Sequence, residues 1–189
     1  MDADIGQGYT LEGADGLYAA LLWAHCDDFL IHAPTRAKCT AALRAFLDLA
    51  VDLGLLCHPG KLSPPAQIVK YTGFLFDTRG QPALRIPTCK REKGIAMIDH
   101  VLSKKGPISR LVLAVLAGVL ESIVEATPSR LGHTYIRSLV ENIHLPEEEG
   151  LPYYTEATLT DTDRAGLLWW RKALLTDHLR GKLSLKVPI

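Results

Sequence analysis

The sequence predicts an α+β protein: a mixed front half followed by an all-helical back half, divided near residue 88. Three observations carry this reading. Short apolar runs bounded by turn residues fill the front, whereas from Lys90 onward apolar residues recur at helical spacing. The 189 residues, 48% of them hydrophobic, are enough to bury a core and too apolar for wholesale disorder. The formal charge is zero, yet it is segregated. Residues 1–34 carry six acids and no Lys or Arg, residues 85–110 seven basic residues against two acids, and residues 141–163 seven acids and no Lys or Arg. A basic middle thus lies between acidic flanks, with no global field of the kind that marks a nucleic-acid binder.

Taken in order, residues 1–16, with four glycines and four acids, read as a flexible lead-in. Leu17–His25 and Phe29–Ala33 are apolar runs that meet at Asp27-Asp28, which predicts a β-hairpin. Thr35, after Pro34, is placed to cap a helix carrying Leu43, Phe46, Leu47, Ala50 and Val51 on one face, and Gly54 suits its C-terminal end. "CHPGKLSPP" is a turn-rich loop, "IVKYTGFLFDTRG" a strand into a turn, and "PALRIP" its return. Helices are expected over about residues 90–103, 108–126, 129–143 and 160–179, punctuated by Pro107, Pro128 and "HLPEEEGLPYY". The domain expectation is a mixed region at 17–88, a helical region at 89–180 and a tail at 181–189.

Cys26, Cys39, Cys57 and Cys89 form no CxxC pair, and the N-terminus has no signal-peptide pattern. The expectation is reduced thiols in an intracellular protein, nuclear or cytoplasmic. The longest uncharged apolar run, Leu111–Leu120, is half the roughly 20 residues a bilayer requires, so no membrane partner is expected.

Asp27 and Asp28 interrupt "WAHCDDFLIHAP" with two like charges. A solvated turn explains them, since Asp favours turns. The apolar flanks and the lack of Gly or Asn favour another reading. Mg²⁺ takes oxygen ligands and is held by one or two carboxylates plus substrate phosphates, and it offsets the repulsion of the paired charges.

The ordered set "HCDDFLIHAPT", a helix, then "LGLLCHPGKLSPPAQIVKYTGFLFDT" resembles the second half of a reverse-transcriptase palm. Asp27 and Asp28 take the family's Asp-Asp positions, Lys61 the loop lysine, and Tyr71-Thr72-Gly73-Phe74 the primer-grip strand. "LRIPTCKREKGIAMIDHVL", "LAGVLESIVEATPSRLGHTYIRSL" and "LLWWRKAL" resemble the thumb and connection of retrotransposon polymerases of the DIRS type. The resemblance spans about residues 17–180. It implies a partial palm followed by a helical thumb and connection, and nucleotidyl transfer by two metals. Asp27 would be the principal ligand and Asp28 a secondary one for Mg²⁺ or Mn²⁺, and Lys61 a proton donor or phosphate contact. It also implies a thumb surface at Lys90, Arg91, Lys93, Lys104, Lys105 and Arg110 on an RNA or DNA primer–template duplex; a solvated helix face is the plainer account of those six.

The sequence departs from the family in three ways. His25 replaces the family's Tyr, the lead-in holds neither fingers nor the earlier palm aspartate, and the chain stops before an RNase H domain. Two metals need carboxylates from both strands, so the expectation is a fragment inactive alone, completed by the missing half, a partner chain or self-association. The alternative is a domesticated, non-catalytic module that binds RNA or protein. Trp169 and Trp170 suit a core or domain interface, Cys57-His58 has no second metal pair, and His133 and His144 read as ordinary helix residues.

Overall fold

The computed structural model describes residues 7–12, 18–127, 131–148, 155–176 and 180–182. Two compact units meet between Pro82 and Ala83, ahead of residue 88. The boundary moves because strand Ala83–Arg85 pairs antiparallel with Arg180–Lys182 within the second unit.

In the first unit, Gln7–Glu12 (β1), Tyr18–His25 (β2) and Asp28–His32 (β3) form an antiparallel sheet in the order β1-β2-β3. β1 corrects the flexible lead-in. Tyr9, Thr10 and Leu11 are strand formers, and a lone two-stranded hairpin is marginal in water, so β1 occupies the open edge of β2. Residues 1–6 and 13–17 lie outside the described residues, as does most of the expected tail.

Arg36–Asp52 (α1) starts where Thr35 Oγ1 accepts from the Lys38 amide at 3.2 Å. It ends as a Schellman motif: Gly54 has φ 72°, its N–H reaches the Val51 carbonyl, and Leu55 N–H reaches that of Ala50. α1 lies against the hairpin through Phe46, whose ring is 4.9 Å from that of Phe29. A 3₁₀ turn at Pro59–Lys61 follows, with His58 Nδ1 accepting from the Gly60 amide at 3.0 Å. His58 is therefore a turn cap.

Ile68–Tyr71 (β4) and Phe74–Asp77 (β5) are two strands where one was expected. Thr72 (φ 45°) and Gly73 (φ 82°) supply the two left-handed residues of a type I′ hairpin loop.

In the second unit, Ala83–Arg85 (β6) leads into Thr88–Ser103 (α2). Ile108–Ser109 (β7), Arg110–Glu121 (α3) and a 3₁₀ turn at Val124–Ala126 follow. The last described elements are Gly132–Glu148 (α4), Glu156–Ala157 (β8), Asp161–Leu175 (α5) and Arg180–Lys182 (β9). The helix expected over 108–126 stops early: the Ser122 amide still reaches the Gly118 carbonyl, but from Ile123 the chain tightens to three-residue bonds, Ile123 to Leu120 and Ala126 to Ile123. The back half also contains strands the sequence did not announce, the pair β7 and β8 and the strand β9, which pairs with β6, the return strand expected at "PALRIP".

α2, α3, α4 and α5 bury one core of Ile98, Val101, Leu113, Leu116, Leu120, Leu139, Leu167, Trp170 and Leu174, among others. Trp170 is fully buried, while half-buried Trp169 stacks on Tyr135 at 4.1 Å. A Cβ on Gly166 would lie 2.3 Å from the Tyr135 carbonyl oxygen, so α4 and α5 can cross this closely only at a glycine. Among the described residues, no helix is long and apolar enough to cross a membrane.

Candidate functional site: the aspartate hairpin

β2 and β3 run in register up to His25↔Asp28, leaving Cys26 and Asp27 as a two-residue loop. Cys26 takes φ 53°, and a positive φ at the first loop position alone is the pattern of a type II′ turn, which favours Gly there. An L-residue in that region carries strain, and such strain clusters at functional sites. The turn places Asp27 at the tip and Asp28 as the first residue of the returning strand, both exposed, with His25 exposed beside them.

Tyr71 comes to this hairpin from the other end of the first unit. It is buried, its ring meets Phe76 edge-on at 5.6 Å, and its hydroxyl lies 3.5 Å from the main-chain carbonyl oxygen of Asp28. Burial first, and then the neighbouring Asp28 and Cys26, push the phenol above its ordinary pKa, so it is a donor at any working pH. Thr72, Gly73 and Phe74 are the loop and the next strand residue of the same hairpin. Lys61 is exposed at the end of the 3₁₀ turn, with no hydrogen bond or ion pair to either aspartate among the described residues.

The donor set fits a divalent cation in one mode. Among the described residues no three His, Cys, Asp or Glu side chains converge, so protein alone does not enclose an ion. Two adjacent exposed carboxylates match the Mg²⁺ mode in which water and substrate phosphates complete the octahedron.

The basic residues separate into two groups. Lys93, Lys104 and Lys105 are exposed. Lys90 donates its Nζ to the Ser122 carbonyl at 3.1 Å, and half-buried Arg91 is also engaged on the protein. Arg110 is turned onto the protein. Its Nε donates to Thr155 Oγ1 at 3.2 Å, and its Nη1 donates to the Asn142 carbonyl. The reason lies four residues on: Pro146 has no N–H to return to Asn142, yet α4 continues to Glu148 instead of ending near 143. Arg110 supplies the missing donor.

Asn142 also donates from Nδ2 to Asp163 Oδ2 at 3.0 Å. The Asp163 carboxylate, 2% exposed, further accepts from Ser138 Oγ at 2.7 Å and from the Thr160 amide at 2.9 Å, in a capping box that starts α5. Burial alone would raise its pKa, but donors from Ser138, Thr160 and Asn142 prevail and hold it below the usual carboxylate range. This network belongs to the scaffold. Sequence reasoning missed it, as it missed the role of Tyr71, since each joins residues remote in the chain.

No protein-family model and no curated protein matches the chain. Among solved structures it is similar to a foamy viral protease–reverse transcriptase, determined in complex with double-stranded DNA. The TM-score is 0.59 at 15% sequence identity, and the match covers 86% of this chain and 25% of that one. The chain thus spans about a quarter of its neighbour's length. The fold is therefore α+β, a partial reverse-transcriptase palm followed by a helical region.

Proposed function

We propose that the chain is the palm and thumb portion of a retroelement-type RNA-directed DNA polymerase, of the DIRS kind by its ordered motifs. Asp27 and Asp28 form its half of the metal site. The observation that carries this is the strained Cys26 turn, which presents adjacent carboxylates on a reverse-transcriptase-like palm. Asp27 offers its carboxylate from the tip and Asp28 from the strand, and His25 and the Tyr71–Phe74 hairpin stand where a primer end would pass. When bound, Mg²⁺ or Mn²⁺ supplies charge neutralisation and in-line orientation for nucleotidyl transfer. Lys61 meets the phosphates or donates a proton to the leaving group. Lys93, Lys104 and Lys105 contact the duplex backbone. The isolated chain binds a primer–template without extending it, because the described residues contribute no third carboxylate to clamp a second ion.

The test is binding of the purified chain to a labelled primer–template across a salt series, with and without Mg²⁺, alongside Asp27→Asn. Three lysine–phosphate contacts predict a log–log salt slope of roughly −2 to −3. Mg²⁺ is expected to tighten binding in the wild type and not in Asp27→Asn. Absence of binding at low salt would remove the nucleic-acid reading and leave a protein-binding module.

A further inference from the structure

We propose that Tyr71 is a positioning residue for the aspartate pair: its buried hydroxyl, carried on the β4–β5 hairpin, donates to the Asp28 main-chain carbonyl and fixes the angle at which Asp28 meets a cation. This rests on the reading of Asp27 and Asp28 as a cation site. It gives Tyr71 a role behind the carboxylates, whereas the family resemblance places its hairpin against a primer.

The geometry supplies the argument. Asp28 is the first residue after a two-residue loop whose leading residue, Cys26, is strained at φ 53°. A carboxylate at such a point has freedom unless the main chain is held from outside the hairpin. The hydroxyl 3.5 Å from the Asp28 carbonyl is a hydrogen bond to this tip from outside β2 and β3. Its base is firm. The Tyr71 ring is 5% exposed and braced edge-on by Phe76. Its backbone is the last residue before Thr72 and Gly73, whose positive φ values define the turn. The contact is long for a hydroxyl donor, and hydrogen bonds at such sites often tighten only when the site is filled. A cation drawing Asp28 forward would act on the carbonyl that Tyr71 holds. The two hairpins thus form one mechanical unit, with the second setting the first.

Mn²⁺ is the probe, its binding followed by EPR of the free ion on the full chain. The variants are Tyr71→Phe, which keeps the ring and deletes the hydroxyl, Asp27→Asn, and Phe76→Leu, which loosens the same packing but keeps the hydroxyl. Melting temperature and circular dichroism report folding. The wild type, labelled with 3-fluorotyrosine, should show one resonance selectively broadened by Mn²⁺, the one missing in Tyr71→Phe. Tyr71→Phe should weaken Mn²⁺ roughly tenfold, the scale of outer-shell substitutions at metal sites. Phe76→Leu should lower the melting temperature and leave Mn²⁺ affinity within twofold. If Asp27→Asn abolishes binding while Tyr71→Phe binds like wild type, the cation site stands and the positioning role falls. Equal loss in Phe76→Leu and Tyr71→Phe would make the residue mere packing and overturn the role as well. If the wild type binds no Mn²⁺, or Asp27→Asn binds equally, the cation site itself fails, and this proposal with it.

Discussion

Cys26 holds an L-residue backbone at φ 53°, a conformation that costs roughly 1–2 kcal/mol relative to the right-handed regions. Glycine would remove that cost, while its looser unfolded chain takes back about 0.4–1 kcal/mol. Cys26→Gly is therefore expected to be neutral or to stabilise by up to ~1.5 kcal/mol in urea unfolding, the balance of those two terms. Cys26→Val, β-branched at a positive φ, should cost ~1–2 kcal/mol. Loss of stability in the glycine variant would mean that the thiol makes contacts that outweigh the strain. The aspartate pair itself is legible in the sequence, because two charges between apolar runs ask for an explanation. The strain is not, since cysteine has no preference for left-handed backbone. Nor is Tyr71, which lies in a separate hairpin and meets Asp28 only in the fold.

At the scale of elements, α4 and the start of α5 depend on polar groups that periodicity cannot see. Apolar spacing locates α1, α2 and α5 to within a few residues at their starts, and Thr35 as a cap follows from its chemistry. β7 and β8 are two residues each, too short to carry a period, and Pro146 reads as a helix stop until Arg110 is seen to serve the Asn142 carbonyl. Arg110→Leu orphans that carbonyl and should cost ~1.5–3 kcal/mol, the range for hydrogen bonds to charged groups. In a Pro146→Ala background, where a backbone N–H can return, the same substitution should cost ~1 kcal/mol less; strict additivity in this double-mutant cycle would refute the pairing. Asp163 gives a pH prediction. Its pKa is depressed in the folded state, so its contribution is fully present above the unfolded value of about 4 and is lost as pH falls through the folded value. The stability gap between wild type and Asp163→Asn should be constant from pH 7 to 5 and shrink below about pH 4. Urea melts at pH 7, 4 and 3 measure it, and a gap independent of pH would show that the donors do not prefer the charged form.

For the whole molecule, the decisive contrast is between the cores of the two units. The second buries Trp170 and nine Leu or Ile side chains at 2% exposure or below: Ile98, Leu113, Leu116, Leu120, Ile123, Ile136, Leu139, Leu167 and Leu174. The first has fewer, three alanines (Ala20, Ala42 and Ala50) with Leu21, Tyr71 and Phe76 as its described core. It also leaves Val51 74% and Leu56 100% exposed. Composition announces the change from mixed to helical structure but places it late, because a strand of the second unit lies ahead of its first helix. Apolar burial is worth roughly 25 cal/mol per Å², so the thinner core should open first. The three tryptophans report the units separately: Trp23 lies in the first, Trp169 and Trp170 in the second. With 5-fluorotryptophan incorporated and Trp23→Phe used for assignment, the native Trp23 signal should vanish at a lower urea concentration than the other two. Two midpoints would establish sub-global unfolding of the unit that carries the aspartates. Coincident loss of all three signals would establish a single cooperative transition and refute independent stability of the units.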